Sequence, residues 1–482
     1  MSRLLFDSTA TATTRWELLP LRFHQLSDDR VVVTNMVGEH LVLPRRELDA
    51  VVAGEAASAQ TLAAMRARHM LREPEETLPL ELLAVKLRTR TRRLAEMTAL
   101  HMFVVTLRCE HTCRYCQVSR QSTAHGEFDM TRETAEAALA HVFRSPSPQL
   151  KIEFQGGESL LNFDLIQWVV EQAEEHNRTE RRDLAFAIAT NLALIDDAVL
   201  DFCGEHGVVL STSLDGPEQL HNHNRRRPGQ DSWQRAVDGI RLVQDRLGPD
   251  YVSALMTTTE DSLTQPEAII DAYVDLELSS IFLRPISPYG FALRRRCGGA
   301  YDAARWLEFY RRGLAHIIEL NQHGTPMTEV YAAIVAKKMF TNDDPGYVDL
   351  MSPAGIGIGG IVYNYDGGVY ASDEGRMLAE MGDETFRLGH VEDAWSDLLG
   401  STRLLTPLWE SMTVSAPGCD SCAFEQWCGA DPTYHHATTS DFVGHKAFSG
   451  FCARNMGVFT HLVELADADP FVRDLLWQWG HR

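Results

Sequence analysis

Between residues 101 and 288, apolar runs alternate with amphipathic segments. Five segments carry apolar residues at helical spacing: TRETAEAALAHVF, NFDLIQWVVEQAEEH, DDAVLDFCGEH, SWQRAVDGIRLVQDRL and QPEAIIDAYVDL. Six short runs rich in β-branched and aromatic residues indicate strands: HMFVVTL, LKIEFQ, LAFAIAT, VVLSTSL, YVSALMTTT and SSIFLRPIS. Repeated strand–helix units predict an α/β fold with a parallel sheet and right-handed crossovers. Six units are too few for a closed eight-stranded barrel.

The flanking regions have different patterns. In residues 1–75, the strand-like runs WELLPLRFHQL and VVVTNMVGEHLVL precede two short helices, the first starting at Pro44 and stopping at Gly54. Residues 76–100 are charged and predict a helical connector, and residues 301–345 predict a helical linker that follows the 101–300 sheet region. In residues 346–482, the run GGIVYNYDGGVYAS predicts a hairpin that turns at Asp366, Gly367 and Gly368.

Composition narrows the class of protein. The 482 residues carry a formal net charge of −22, which argues against a nucleic-acid-binding surface. No run approaches the length that spans a bilayer, and the N-terminus lacks the apolar core of a signal peptide, so we expect a cytoplasmic protein without membrane contact. The nine cysteines are an odd number, so they cannot all pair as disulfides.

Cys109, Cys113 and Cys116 follow the first predicted strand within eight residues. Thiolates are the usual ligands of iron–sulfur clusters, and clustered cysteines in a reducing compartment indicate metal before disulfide. Three ligands on a four-iron cluster leave one iron open to bind a substrate or cofactor. The alternatives are a zinc site completed by His111 or a distant cysteine, and plain core cysteines.

A second cysteine pattern lies near the C-terminus. Cys419, Cys422, Cys428 and Cys452 form C-x2-C-x5-C plus one distant cysteine. Four thiolates satisfy a cluster completely, and the competing interpretation is a structural zinc held by the same four residues. Cys203 and Cys297 belong to neither motif, and we expect them to be packing residues.

Polar residues stand where the predicted strands end. They are Gly156, Gly157 and Glu158 after the second strand, Thr190 and Asn191 after the third, Ser211, Ser213 and Asp215 in and after the fourth, and Arg284 after the sixth. Loops at the carboxyl ends of parallel strands build the site in α/β folds, which makes these residues candidate ligands. The alternative for the glycines and for Asp215 is turn chemistry. A basic loop, residues 222–229, either grips a peptide or is simply solvated.

The spacing C-x3-C-x2-C, with Tyr115 before the last cysteine and GGE one unit later, resembles the signature of radical S-adenosylmethionine (SAM) enzymes. The resemblance implies a partial (β/α)6 barrel and a [4Fe-4S] cluster whose open iron is chelated by SAM. It also implies cleavage of SAM to a 5′-deoxyadenosyl radical that abstracts a substrate hydrogen. Glu158 follows the family pattern, whereas Ser159 replaces the usual proline. The implied SAM contacts are Tyr115, Gly156, Gly157, Glu158, Thr190, Asn191, Ser211, Ser213, Asp215 and Arg284.

The two flanking regions also resemble known elements. Residues 346–482 resemble the SPASM domain, which usually holds two auxiliary clusters on seven cysteines. Ser352 and Ser372 stand where ligand cysteines are expected, and Asp431 lies near a third missing one, which implies a single auxiliary [4Fe-4S] cluster. Residues 1–75 resemble a winged-helix peptide-recognition element that binds a leader peptide as an added strand. The alternative for this region is a structural cap on the barrel.

Longer strings, including TLRCEHTCRYCQVSRQ, IEFQGGES and STSLDGPEQLHNHNR, resemble the radical SAM maturases of the His-Xaa-Ser system, the HxsB family. The resemblance implies a ribosomally made precursor peptide (leader and core) as substrate, and an external electron donor such as flavodoxin or ferredoxin. It further implies a cyclophane-type carbon–carbon crosslink, formed when a side-chain Cβ radical attacks a nearby ring. Asp215, Glu158 and Asp431 are the candidate bases for the ring proton.

Two other outcomes stay open from the sequence. The first is a different radical reaction on a peptide: epimerisation, with Cys297 as a candidate hydrogen donor, or a thioether or ether crosslink. The second is a non-enzymatic peptide-binding partner whose clusters are structural. The intact cysteine loop and GGE turn argue against the second.

Overall fold

The computed structural model describes residues 16–290 and 301–482, so Cys297 lies outside the described residues. A mostly parallel eight-stranded sheet stands at its centre. In spatial order its strands are Val252–Leu255, Val208–Ser213, Asp183–Ala189, Gln149–Gly156, Leu100–Thr106, Gly360–Tyr363, Gly368–Tyr370 and Arg387–His390. The first six are parallel to one another, and Gly368–Tyr370 pairs antiparallel with the strand on each side of it. The prediction of an α/β fold with a parallel sheet is confirmed.

The edges of the sheet differ from the predicted six-strand arrangement. The sixth run is a strand only at Ser280–Ile281, and it pairs with Thr328–Glu329 outside the central sheet. Pro285 stands within this run and Pro288 directly follows it, and proline has no N–H to donate to a ladder. At the other edge, Gly360–Tyr363 pairs in parallel with the first strand. The C-terminal hairpin therefore extends the central sheet.

Amphipathic helices cover the sheet. Those between its strands are Arg132–Val142, Phe163–Glu180, Asp197–His206, Glu218–Asn224, Ser232–Leu247 and Pro266–Val274. Phe163–Glu180 buries Leu165, Ile166, Val169, Val170 and Ala173, and all five belong to the large core shared with Phe103 and Phe154 of the strands. Helical spacing of apolar residues thus places one face of each helix against the sheet.

The N-terminal unit is built on a three-stranded antiparallel sheet. Its strands are Leu21–Gln25, Arg30–Asn35 and His40–Pro44. Helices Arg45–Val52 and Ala59–Ala67 follow, and Glu17–Leu18 pairs with Leu71–Arg72. Val31 and Val33 face these helices in a small separate core, whereas Val32 between them joins the main core. The alternation along one strand therefore divides its side chains between two cores.

This unit docks on the C-terminal cysteine region. The Thr34 hydroxyl donates to the carbonyl of Ala423 (2.6 Å), and the Trp427 indole donates to the carbonyl of Gly38 (2.9 Å). Arg22 forms an ion pair with Glu425 (3.1 Å). The contacts tie the first described strands to residues some four hundred positions later. The roles predicted for residues 1–75 and the domain boundaries stay predictions.

Helices account for most of the remaining chain. The connector is Leu78–Arg90 with a 3₁₀ turn at Arg92–Leu94, and Ala303–Gln322 and Val330–Phe340 form the linker. The later helices are Asp373–Ala379, Trp395–Leu399, Thr402–Glu410, Pro432–Thr439, Gly450–Ala468 and Pro470–His481. Within the described residues, every helix falls short of the length or apolar character needed to cross a bilayer.

Candidate active site

The three-cysteine loop leaves the carboxyl end of strand Leu100–Thr106 and lines a cavity of about 250 Å³. Cys109 is buried and Cys113 and Cys116 are half-buried. The backbone N–H of Cys109 donates to Gln121 (3.0 Å), and that of Arg114 donates to Asn224 in the basic loop (2.9 Å). Residues 222–224 of the predicted basic loop belong to helix Glu218–Asn224, so the end of this helix and the loop after it brace the cysteine loop. None of the described cysteines forms a disulfide.

The glycine turn lies against the base of that loop. A Cβ on Gly156 would lie 2.1 Å from the carbonyl oxygen of Thr106, and one on Gly157 would lie 2.3 Å from that of Arg108. No side chain fits at such distances, so both positions require glycine for close backbone approach. Both glycines also line the cavity, together with Thr190, Asn191, Ser211 and Ser213. The structure thus brings together most of the predicted SAM contacts.

Glu158 is fully buried and holds the ends of two strands together. Its carboxylate accepts hydrogen bonds from the Thr190 hydroxyl (2.6 Å), the Asn191 backbone N–H (2.8 Å) and the Leu160 N–H (3.1 Å). Burial, and then the nearby charge of Glu110, raises the pKa of Glu158 to about 7. Glu158 does not line the cysteine cavity. Its carboxylate instead orients Thr190 and Asn191, which do line that cavity.

Asp215 is also fully buried, beneath Tyr115. Both carboxylate oxygens lie within hydrogen-bond distance of the Tyr115 hydroxyl (2.8 and 2.7 Å), and Arg225 forms an ion pair with one of them (3.2 Å). The Arg225 guanidinium lies 5.3 Å from the centre of the Tyr115 ring. Tyr115 and Arg225 line the cavity, but Asp215 does not. The carboxylate predicted as a ligand or base therefore supports these two side chains from behind.

Arg284 borders two cavities. It lines the cysteine cavity and also a second one, which contains Asp349, Glu374 and Asp431. Nearby acidic groups, Tyr347 and Glu374 first, outweigh burial and raise the pKa of Arg284. Burial, and then Asp349 and Glu374, raises the pKa of Asp431. Asp431 is thus placed beside Arg284 and away from the other two predicted bases.

Asp373 was missed by the sequence analysis. It lines the cysteine cavity from helix Asp373–Ala379, whose N-cap is Ser372. Its partner is Arg376, which forms an ion pair with it at 3.1 Å. One feature of the sequence could have identified Asp373 as a site residue. It directly follows Ser372, which stands where the SPASM pattern has a ligand cysteine.

The four C-terminal cysteines influence one another electrostatically. Burial raises the pKa of Cys428 to about 12, and Cys422, Cys419 and Cys452 add to the effect. Asn455 contacts the Cys428 sulfur (3.6 Å), and Met456 contacts that of Cys422 (3.7 Å). All four are half-buried. The structure thus brings the four predicted auxiliary ligands into one neighbourhood.

A group of side chains close enough to hold one metal ion occurs outside the C-terminal cysteines. Within the described residues, the one group of three or more candidate ligand atoms lying within 4.8 Å is Cys109, Glu110 and His111. However, Nδ1 of His111 lies 2.9 Å from both Glu110 and Asn191, and its Nε2 lies 2.9 Å from Ser232. Since both ring nitrogens already have partners, His111 is a poor zinc ligand, and its contacts favour a structural role.

A family comparison bears on these observations. Residues 103–273, which span the cysteine loop, the glycine turn and the parallel strands, match the model of the Radical SAM superfamily. Over these residues the chain is similar to the enzymes of that superfamily. That superfamily uses SAM and a [4Fe-4S] cluster, and the residues here would fit both: three thiols line one cavity together with the glycine turn and four polar side chains.

Curated relatives match part of this chain. The serine-type anaerobic sulfatase-maturating enzyme of Klebsiella aerogenes is 26% identical over 42% of this chain and 49% of its own. The radical SAM cyclopropyl synthase TigE of Paramaledivibacter caminithermalis is 24% identical over 30% of this chain and 32% of its own. The enzyme thus spans half or less of these relatives.

A solved structure extends the comparison of the fold. Native anSMEcpe with bound AdoMet superposes with a TM-score of 0.62 over 79% of this chain and 99% of that one, at 16% identity. The likeness confirms the α/β radical SAM fold and shows that it continues beyond residues 103–273.

Proposed function

We propose that this enzyme is a radical SAM/SPASM maturase of the HxsB type, which installs a cyclophane-type carbon–carbon crosslink in a ribosomally made precursor peptide. The observation that carries the proposal is the pair of adjoining cavities. The three thiols and the glycine turn share one cavity, and Arg284 connects it to a second that offers room for a substrate side chain. The names of the relatives, a sulfatase-maturating enzyme and a cyclopropyl synthase, support the modification of a polypeptide by such a site.

We assign the cluster to Cys109, Cys113 and Cys116. The SAM contacts would be the backbone of Gly156 and Gly157 and the side chains of Thr190, Asn191, Ser211 and Ser213, which share the cavity. Tyr115 and Arg284 complete its wall. When bound, the cluster and SAM supply a carbon radical that can take a hydrogen atom from an unactivated C–H bond. The chain's own residues position the two reacting side chains and keep water away from them.

The crosslink has a fixed atom balance. One bond forms between a side-chain Cβ and a ring carbon, and the two C–H bonds at these atoms break. One hydrogen leaves as an atom, and the other leaves as a proton with one electron remaining to be removed. An auxiliary cluster on Cys419, Cys422, Cys428 and Cys452 would accept that electron, and an external flavodoxin or ferredoxin would donate the separate electron that SAM cleavage consumes.

Asp431 is the base that the geometry supports best. It borders the second cavity, whereas Glu158 and Asp215 are fully buried with their carboxylates bound to other side chains. A base must lie within hydrogen-bond reach of the proton it takes. A ring held where the two cavities adjoin at Arg284 would meet this condition for Asp431 alone among the three predicted bases.

The test is anaerobic incubation of the reconstituted enzyme with SAM, reductant and a candidate precursor peptide chosen from any short reading frame near its gene, followed by peptide mass spectrometry. We expect a loss of two hydrogens per modification, and fragmentation that skips a three-residue block. Cys113→Ala should abolish SAM cleavage, while Cys203→Ala should retain it. An unchanged mass with deuterium uptake from solvent would indicate epimerisation and contradict the crosslink.

A further inference from the structure

The charges around the second cavity do not balance. Three carboxylates line it, on Asp349, Glu374 and Asp431, against two guanidinium groups, on Arg284 and Arg454. Among the described residues, Arg284 has no ion pair within 4 Å. The Arg454 guanidinium lies 5.4 Å from the centre of the Tyr434 ring. One negative charge is therefore in excess when all five groups are ionised.

Two buried polar groups in the same cavity have no partner. The Tyr289 hydroxyl, on a side chain 1% exposed, and the Trp306 indole N–H, on one 2% exposed, line it without a hydrogen bond to any described residue. Buried polar groups are almost always paired in native structures. Both groups therefore indicate a ligand that supplies the missing partners. The indole can only donate, so that ligand must carry an acceptor.

The electrostatics favour a cation among the carboxylates. Burial, followed by Asp349 and Asp373, raises the pKa of Glu374 to about 7. An organic cation fits better than a metal ion, since the close grouping of candidate metal ligands among the described residues lies elsewhere, at Cys109, Glu110 and His111. A positive group placed among the three carboxylates would remove their mutual repulsion.

We propose that this cavity binds a basic residue of the substrate peptide, with its ammonium or guanidinium group beside Glu374 and Asp349. A backbone carbonyl of the same peptide would accept from Trp306, and Tyr289 would donate to a second acceptor. The inference rests on the proposed function, because Arg284 places this cavity directly beside the SAM cavity. It adds a substrate requirement: a lysine or arginine close to the modified residues.

The test uses two small probes and the full-length protein. N-acetyl-lysine N-methylamide and N-acetyl-norleucine N-methylamide share a stem and two amides and differ in the charged group. We expect saturation transfer in NMR to the lysine probe only, with Glu374→Gln weakening its binding by about tenfold, the effect of losing a charge-assisted hydrogen bond. Tyr289→Phe should weaken it less. Glu464→Gln, on an exposed position of helix Gly450–Ala468, is the matched control and should have no effect.

Two results would overturn the assignment: equal transfer to both probes or to neither, and unchanged binding in Glu374→Gln. Asp349→Asn replaces that variant if it does not fold. SAM cleavage and peptide mass are measured in parallel. A crosslinked peptide with no charge preference contradicts the subsite alone, whereas selective lysine binding without crosslinking supports the subsite and contradicts the proposed function.

Discussion

Asp215 and Arg225 form a buried ion pair beneath the three-cysteine loop, with Nε of the arginine 3.2 Å from a carboxylate oxygen. The carboxylate is fully buried and also accepts from the Tyr115 hydroxyl. Burial lowers the pKa of the Arg225 guanidinium, but the charge of Asp215 outweighs this effect and the net pKa is raised. Arg225 therefore remains charged. The pair therefore fixes the wall of the cysteine cavity, which Tyr115 and Arg225 line, from behind.

Removing one partner of this pair should be costly. Asp215→Asn leaves the Arg225 charge buried without compensation, and we expect the free energy of unfolding to fall by about 3–5 kcal/mol. The measurement is the denaturant midpoint of the wild type and the variant. Asp201→Asn is the control, because Asp201 pairs with Arg246 with 72% of its side chain exposed. Its expected effect is below about 1 kcal/mol. Equal effects of the two substitutions would contradict the structural role of Asp215.

The sequence predicted the parallel sheet and its cysteine loop because both depend on local signals. Strand composition, helical spacing and a three-cysteine spacing are all short-range patterns. The ion pair between Arg225 and Asp215 was not predictable from the sequence. The segment NHNRRRPG contains three adjacent arginines, and which of them contacts Asp215 depends on tertiary packing.

The second cavity also escaped the sequence analysis. It requires Glu374 and Asp349 to meet Arg284, which happens because strand Gly360–Tyr363 pairs with Leu100–Thr106 across about 260 positions. No local pattern specifies that pairing, since both strands are short and apolar. Asp431 was identified only through a missing cysteine nearby. Its position in the cavity follows from the three-dimensional arrangement.

Arg90 joins three parts of the chain, and its loss should release the N-terminal unit. Its guanidinium donates to the carbonyls of Val37 (2.6 Å), Lys338 (2.8 Å) and Gln426 (3.1 Å). Arg90→Met would leave these acceptors unpaired, and hydrogen bonds to a charged group contribute about 1.5–3 kcal/mol each. We expect faster amide exchange in residues 30–44, measured by mass spectrometry. Arg88→Met, at an exposed position of the same helix, should leave the exchange unchanged.

His101 should make stability depend on pH. It is fully buried, with Nδ1 3.0 Å from the Tyr363 hydroxyl and Nε2 3.2 Å from the carbonyl of Thr98. Burial lowers its pKa to about 3, so it is neutral in the folded protein, whereas in the unfolded chain it titrates near its ordinary value of 6.5. Its stabilising contribution is complete above pH 6.5 and is lost progressively as pH falls from 6.5 toward 3.

The expected difference is measurable between pH 7 and pH 5. Over this interval the wild type should lose about 2 kcal/mol more unfolding free energy than His101→Gln, which cannot titrate. The comparison concerns the slope with pH, so a constant destabilisation of the variant does not affect it. His125→Gln, with 51% of the His125 side chain exposed, should retain the wild-type slope. Parallel curves for wild type and His101→Gln would show that His101 is not the titrating group.

The C-terminal cysteines should hold iron. Substituting alanine for any one of Cys419, Cys422, Cys428 or Cys452 is expected to lower the iron content of anaerobically reconstituted enzyme by up to about four per chain, because a cluster held by four thiolates is destabilised when one ligand is lost. Cys203→Ala is the control, because Cys203 is fully buried and outside both motifs, so iron should be unchanged.

A structural zinc would require sulfurs about 3.8 Å apart, from Zn–S bonds of about 2.3 Å. Among the described residues, no three cysteine sulfurs lie within 4.8 Å of one another. Elemental analysis that found one zinc per chain, with iron unaffected by these substitutions, would contradict the auxiliary cluster.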